Sequence, residues 1–474
     1  MSKNFVTIRR QSAAHEAKGA AGQGNEIMSL DCIVLAAGLG TRMKSAVPKV
    51  LHRAAGRSLI GHVLAATRAI GTGRVVVVIG PDMDAVAPET RRFAPEAKIA
   101  TQPERKGTAH ALGFAAEHLQ AAKGTTLVLY GDVPLIAAHR LKALANRVSQ
   151  QTALAVLAFR ATDPQGYGRL ILDVKGDLQA IREERDASTA EREIDLCNSG
   201  VMAVRSDVLW RLLPQIGCNN SQKEYYLTDL VGLVRKDGLR AGHEECPQGE
   251  VQGVNTRVEL AAIEAALQTH LRAAAMLGGV TLIAPETVFF SMDTELGRDV
   301  TVEPHVIFGP GVTIADGATI RSFCHLESCR VEAGAIIGPF ARLRPGAAIG
   351  RDAHIGNFVE IKNAEIGAGA KANHLAYIGD ASVGERANIG AGTITCNYDG
   401  FAKHRTEIGA GAFIGTNASL VAPVRIGDGA YIGSGSVITQ NVPAGALALE
   451  RAELVIKQGW ADKRRQARAA QKKS

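Results

Sequence analysis

Aromatic residues are scarce: Phe, Trp and Tyr together make 4% of the 474 residues, and only two of them are Trp. A chain this poor in rings lacks the base-stacking platforms that single-stranded nucleic acid needs. Charge of one sign is also in short supply. The net charge of +7, from 54 basic and 47 acidic groups, is small for the length. It suits anionic small molecules and is no footprint of a nucleic-acid partner. The basic run KRRQARAAQKKS closes the chain and reads as a solvated tail over 451–474. No apolar run approaches the roughly 18 residues that span a bilayer, so stable membrane insertion is not expected. Residues 1–28 hold no signal-peptide core and read as a flexible extension, with Met28 an alternative start. The seven cysteines are odd in number, widely spaced and free of any CxxC pair. That argues against a disulfide scaffold or zinc knuckle and fits a reducing cytoplasm.

Glycine is plentiful and splits the chain. Residues 1–278 hold 25 glycines, and the shorter stretch 279–474 holds 26. Between Cys32 and about Leu260, short apolar runs alternate with helical patterns. Strands are expected over 32–37, 74–80, 126–132 and 152–159, and helices over 59–69, 108–120 and 137–146. Continuous apolar strands separated by helices predict an α/β domain over 29–257, built on a parallel sheet covered on both faces. Ligands in such folds sit beyond the carboxyl ends of the strands. The alanine-rich run Arg257–Leu277 predicts a helical arm, with the linker placed at 258–278.

From residue 279 to about 450 the period becomes six. Val302, Phe308, Ile314, Ile320 and Leu326 are spaced by six, as are Val331, Ile337, Leu343, Ile349, Ile355 and Ile361. Later runs are Ile366, Ala372, Ile378; Val383, Ile389, Thr395; and Ile408 to Ile438. Neither helix nor hairpin has this period. A parallel β-helix does, each flat face turning one aliphatic side chain inward per six residues. Three faces make a coil of about 18 residues, with small residues expected at the corners. The insertion CNYDGFAKHRTE interrupts the rhythm and reads either as a tolerated surface loop or, given its His, Lys, Arg, Tyr and Asn, as a site wall. Such a rod needs capping or oligomerisation, and trimers suit a triangular section.

Several polar groups fall where chemistry is expected. LAAGLGTRMKSAVPK (35–49) is neither a Walker loop nor a dinucleotide fingerprint, since no GK[ST] follows and Met43 stands where a third glycine would be. Its glycines still let backbone N–H groups approach an anion. Arg42 could hold terminal phosphates, and Lys49 could offset charge on a transferring phosphoryl group. Asp132, after an apolar strand, is a natural Mg²⁺ ligand beside a triphosphate, and Asn255 could share the ion. Gly168, Glu183 and Asn198 lie in short polar elements able to frame a sugar. In the rod, Arg342, Glu360, Lys362, His374, Tyr377, Asn388, Asn397 and Tyr398 form a second polar set. His374 is a plausible general base, with Glu360 to orient it. These two stand 14 positions apart, so they are not stacked neighbours and would meet from adjacent faces or across a trimer seam.

LAAGLGTRMKSAVPKVLH, QPERKGTAHA, YGDVPL, GYGR, NSG, EYYLTD and GVNTR together resemble the sugar-nucleotide pyrophosphorylases. Joined to the six-residue period, the chain resembles the bacterial bifunctional N-acetylglucosamine-1-phosphate uridylyltransferases / glucosamine-1-phosphate N-acetyltransferases, from Met28 to about Arg464. The resemblance implies a Rossmann-like nucleotidyltransferase domain followed by a left-handed parallel β-helix, a cytoplasmic homotrimer, and Mg²⁺, UTP and acetyl-CoA as cofactor and substrates. It implies that Leu35, Ala36, Gly38, Lys49, Gln102, Gly107, Thr108, Tyr130, Gly168, Glu183, Asn198 and Asn255 bind UTP and the sugar nucleotide, with the metal on Asp132 and Asn255. Arg42, Lys49 and His374 would be catalytic. Glucosamine 1-phosphate would lie on Arg342, Lys362, Tyr377, Asn388 and Asn397. Acetyl-CoA would lie along Ala391, Asn397, Tyr398, Thr416, Ser434 and Arg451. Thr256, Asn373 and Thr416 depart from common family residues. The product would be UDP-N-acetylglucosamine, a precursor of peptidoglycan and lipopolysaccharide. A pyrophosphorylase with a merely structural rod, and a non-enzymatic β-helical scaffold, are the competing readings; the set around His374 and the nucleotide motifs weigh against them.

Overall fold

The computed structural model describes residues 6–7 and 29–471. The expectation of a flexible extension over 1–28 therefore lies outside the described residues, apart from Val6–Thr7, whose backbone pairs antiparallel with Glu295–Leu296. The chain forms two compact units. One covers 11–271, and the other covers 272–474 with 1–10.

In the first unit a sheet runs in the order Leu178–Arg182, Arg169–Leu172, Leu196–Arg205, Thr125–Tyr130, Leu30–Leu35, Val75–Ile79, Lys98–Thr101. The last four strands are mutually parallel. Their side chains alternate between two cores: Ile33, Val76, Val78 and Val128 face one, and Cys32, Val34, Val77 and Leu129 the other. The sheet as a whole is mixed, which corrects the parallel expectation. Leu196–Arg205 runs antiparallel to both Thr125–Tyr130 and Thr152–Arg160. Leu196–Arg205 is not among the expected strands, because Asn198, Ser199 and Gly200 interrupt its apolar run and it reads as a polar element. Helices Leu59–Ala69 and Ala138–Arg147 fall close to their predicted positions. The third predicted helix breaks into Thr108–Gly113 and Ala116–Leu119.

The second unit is a left-handed parallel β-helix. Its inward residues form three columns with steps of 17 or 18 positions. Val302, Ile320, Ile337, Ile355, Ala372 and Ile389 stack in the first. Ile314, Val331, Ile349, Ile366 and Val383 stack in the second. Phe308, Leu326, Leu343, Ile361 and Ile378 stack in the third. All are buried. The CNYDG insertion lengthens one coil, so Ile389 next meets Ile414.

One corner departs from the small-residue expectation. His305, Phe323, Phe340, Phe358 and Leu375 occupy it on successive coils, all with left-handed φ between 53° and 62°. That conformation costs a non-glycine residue about 1–2 kcal/mol. Stacking offsets part of the cost, at about 0.5–1.5 kcal/mol per ring pair. The ring centroids lie 4.9, 4.8 and 5.1 Å apart from His305 to Phe358. Several of the few aromatics thus form an exposed ladder outside the rod. The basic tail carries a helix, Trp460–Gln471, with its described side chains exposed. No helix among the described residues is long and apolar enough to cross a membrane.

His62, on Leu59–Ala69, is buried and bonds the Ala54 carbonyl through Nε2 at 2.9 Å. Burial pushes its pKa down from 6.5 to about 4. The unfolded chain therefore binds this proton more tightly. The neutral ring's contribution is complete above pH 6.5 and is lost as pH falls towards 4, by on the order of 3 kcal/mol. Denaturant unfolding of His62→Gln, which keeps a donor without titrating, should show a shallower loss of stability over pH 6.5 to 4 than the parent.

Candidate active sites

The loop after Leu30–Leu35 turns at Gly40, whose φ is 64°. A Cβ there would lie 2.6 Å from Cβ of Lys49, so the turn needs glycine on both conformational and steric grounds. The short helix Thr41–Met43 buries Met43 and leaves Arg42 exposed. Lys49 opens a second short helix behind Pro48, and its ammonium contacts the Asp132 carboxylate and, at 3.0 Å, Oδ1 of Asn255. Two elements bring those oxygens together. Asp132 follows Thr125–Tyr130, and its carbonyl accepts from Val254 N at 2.9 Å. Asn255 precedes the helix Arg257–Leu277. Thr256 caps that helix: its hydroxyl accepts from Glu259 N at 3.2 Å while Glu259 accepts from Thr256 N at 2.7 Å, a reciprocal capping box. The departure at Thr256 thus supplies the cap that fixes Asn255.

Asp132 and Asn255 pass the test of a magnesium site in their donor chemistry. Both present hard oxygens to one point, where the Lys49 ammonium lies between them. No cluster of three or more acidic, His or Cys ligands occurs among the described residues. A two-oxygen protein site suits Mg²⁺, which takes substrate phosphates and waters for its remaining ligands.

Glu183, Gly168 and Asn198 converge nearby. A Cβ on Gly168 would approach Oε2 of Glu183 to 3.4 Å, and Asn198 N donates to the Gly168 carbonyl at 2.8 Å. Glu183 accepts from the Thr228 hydroxyl at 3.0 Å; burial raises its pKa, and that hydrogen bond opposes the rise. The Tyr130 phenol feels both the Glu183 and the Asp132 charge. Burial, followed by those charges, keeps it protonated. Gly200, at φ 87°, leaves room for that ring, since a Cβ would meet it at 2.7 Å. Gln102 is buried at the end of Lys98–Thr101. Gly107, at φ 111°, packs against the Tyr225 backbone, and the Thr108 hydroxyl accepts from Leu227 N at 3.0 Å. Arg105, not singled out from the sequence, donates to the Ala37 carbonyl at 2.7 Å and braces the glycine loop.

In the β-helix, Arg342, Glu360 and Tyr377 stack on successive coils of one face. Lys362 lies two positions beyond Glu360. Tyr377 Oη and Asn397 Nδ2 are 3.4 Å apart, and Asn397 also contacts Asp380. Burial raises the Asp380 pKa, but hydrogen bonds from Asn363 and Asn397 and the charges of Lys362 and Lys403 more than reverse this. His374 and Asn388 lie on the adjoining face, across the corner at Leu375.

Glu360 does not orient His374 within the chain, which corrects that expectation for one subunit. The Glu360 carboxylate pairs with Arg344 at 2.8 Å, leaving Arg342 at 4.0 Å. Nδ1 of His374 instead meets Oδ1 of Asn357 at 2.6 Å. The two residues are register partners 17 positions apart, a signal present in the sequence but unused. An amide oxygen only accepts, so Nδ1 carries the proton and the exposed Nε2 lone pair is free to act as base. Asn373, beside it, has a buried Oδ1 without a hydrogen-bond partner among the described residues.

Ala391, Thr416, Ser434 and Arg451 align along the rod. Asn417 N donates to the Ala391 carbonyl at 2.7 Å, and Gly435 N to the Thr416 carbonyl at 2.8 Å. Arg451 Cδ lies 3.8 Å from where a Gly435 Cβ would be. In the insertion, Tyr398 is exposed and Asp399 ties the loop by accepting from Phe401 N, Ala402 N and His404 Nε2 at 2.7–2.8 Å. Those bonds, led by the one from Ala402, hold its carboxyl well below the usual range.

A sheet ending in a glycine loop, a lysine and an oxygen pair, coupled to a six-residue β-helix with a poised histidine, defines a nucleotidyltransferase fused to a hexapeptide acyltransferase. Residues 32–194 match the MobA-like NTP transferase domain, and 328–363 and 405–440 match the bacterial transferase hexapeptide repeats. The protein named "Bifunctional protein GlmU" from Azorhizobium caulinodans is 58% identical over 445 residues, covering 94% of this chain and 99% of that protein. Its namesakes from Xanthobacter autotrophicus and Paramagnetospirillum magneticum are 56% and 54% identical over the same length, with 99% and 98% of each covered. The chain belongs to the GlmU family. It is a bifunctional enzyme that acetylates glucosamine 1-phosphate from acetyl-CoA and transfers uridylyl from UTP to N-acetylglucosamine 1-phosphate, releasing pyrophosphate.

Removing the Asn357 acceptor frees the imidazole to turn and change tautomer. Asn357→Leu should lower kcat for acetyl transfer about tenfold or more and distort its pH profile, with uridylyl transfer unchanged in the same preparation.

Proposed function

We propose that uridylyl transfer is carried by residues 29–257 and acetyl transfer by 279–450, joined by the arm 258–278. In the first site Gln102, Gly107, Thr108 and the backbone at Leu35, Ala36 and Gly38 hold the uracil end of UTP. Arg42 and Lys49 neutralise its phosphates. Gly168, Glu183, Asn198 and Tyr130 hold the amino sugar so that its phosphate oxygen lies in line with the α-phosphorus. That oxygen forms the new P–O bond, the α–β bridging bond breaks, and pyrophosphate carries away the electron pair. Asp132 and Asn255 would hold Mg²⁺, which when bound offsets phosphate charge. No protein nucleophile is required; positioning and charge compensation supply the catalysis. The observation that carries this reading is the convergence of Asp132 and Asn255 on the Lys49 ammonium.

In the second site Nε2 of His374 accepts a proton from the amine of glucosamine 1-phosphate. The freed amine attacks the thioester carbonyl, the C–S bond breaks, and coenzyme A leaves as the thiolate. Arg342 and Lys362 hold the phosphate, with Tyr377, Asn388 and Asn397 on the sugar. Acetyl-CoA runs along Ala391, Asn397, Tyr398, Thr416, Ser434 and Arg451. The Nδ1–Asn357 bond, which leaves Nε2 free, supports this reading most directly.

The working form is a cytoplasmic homotrimer in which neighbouring chains complete the acetyl site. Two features support this. The acetyl-site residues divide between two faces of the rod. The exposed ladder Phe323, Phe340, Phe358 and Leu375 ends beside His374. Glu360 would then act on a neighbour's substrate or base.

His374→Ala should abolish acetyl transfer and spare uridylyl transfer, and Asp132→Asn should do the reverse, each by at least about a hundredfold. Loss of both activities together in either variant would refute the assignment to separate sites. Charging the ladder with Phe340→Asp and Phe358→Asp should yield monomers by sedimentation that have lost acetyl transfer and retain uridylyl transfer.

A further inference from the structure

The uracil-reading role given to Gln102 leaves one question of chemistry: which end of the amide faces the base. Its surroundings decide this. The side chain lies 3.3 Å from the Gly107 carbonyl through Nε2 and 3.0 Å from Nδ1 of His110. A carbonyl only accepts, so the amide nitrogen must face Gly107. The second amide hydrogen then points at His110, whose Nδ1 must accept. That requires a neutral imidazole with its proton on Nε2. Oε1 of Gln102 is left without a hydrogen bond among the described residues. The imidazole is itself held, edge-on to Phe114 at 5.1 Å and stacked near Tyr225 at 6.1 Å.

We propose that His110 is a specificity-determining positioning residue: by fixing the Gln102 amide, it makes the nucleotide pocket present an acceptor and select uracil over cytosine. Uracil offers an N3–H donor that Oε1 can accept. Cytosine has a lone pair at N3, which would oppose Oε1. Without His110 the amide is held by a single long bond to Gly107 and can turn its NH₂ outward, where it suits cytosine N3. The proposal rests on the placement of Gln102 in the uracil pocket. It goes further by assigning the choice between bases to a residue that need not touch the nucleotide.

The test measures KM and kcat of the full-length enzyme for UTP and for CTP with N-acetylglucosamine 1-phosphate. His110→Asn places an oxygen where Nδ1 stands, whereas His110→Gln places its acceptor where Nε2 stands. His110→Asn should keep the UTP-over-CTP preference within about threefold of the parent. His110→Gln and His110→Ala should lower the preference about tenfold or more, mainly through KM. Both polar variants keep a helix-compatible side chain, so their difference reports acceptor position rather than folding. If Gln102→Ala raises KM for UTP but all three His110 variants keep the parental preference, the proposal fails and the pocket assignment stands. Equal behaviour of the Asn and Gln variants would also overturn it. If Gln102→Ala leaves KM for UTP unchanged, the pocket assignment and the proposal fall together.

Discussion

Parallel strand register is the constraint on which the chemistry of both units depends. In the β-helix each coil lays its inward aliphatic residue on the one before, so outward residues also gain fixed neighbours, 17 or 18 positions away where no insertion lengthens the coil. That is how Arg342, Glu360 and Tyr377 form a column, and how Asn357 reaches His374. In the first unit the same pairing aligns the strand ends, so the loops after Leu35, Ile79, Thr101 and Tyr130 open at one edge.

The polar groups are arranged so that each points one way. Asn357 accepts from Nδ1 of His374 and leaves Nε2 free. Thr228 donates to one carboxylate oxygen of Glu183. The Thr256–Glu259 capping box satisfies the first turn of the long helix and holds Asn255 beside Asp132. The scarcity of rings has a related cause. A coil of three short faces has little room for an aromatic side chain, so Phe290 and Phe308 stack near one end while the corner ladder stays outside.

Much of the architecture was legible because it is periodic. Every inward position from Val302 to Ile438 that the six-residue rhythm marks is buried. The helices at Leu59–Ala69 and Arg257–Leu277 carry continuous helical patterns. The failures lie where a pattern has two solutions. Leu196–Arg205 carries Asn198, Ser199 and Gly200 in its middle, so the same residues read as a polar element and not as a strand. A corner position tolerates glycine, but also an aromatic residue when its neighbours stack with it. Glu360 and His374 are partners by residue type, yet within one chain register gives His374 the Asn357 amide, and Glu360 pairs with Arg344.

The sequence by itself determined the two kinds of unit, the coil length, and the residue types that carry the chemistry. Those follow from hydrophobic spacing and motif composition, which are local properties of the chain. Tertiary structure alone decided who bonds to whom: Lys49 to Asp132 and Asn255, Asn357 to His374, His110 to Gln102. A hydrogen bond depends on direction and on distances of about 3 Å between residues whose separation in the chain varies from 8 to 206 positions, and such distances exist only once the backbone has folded.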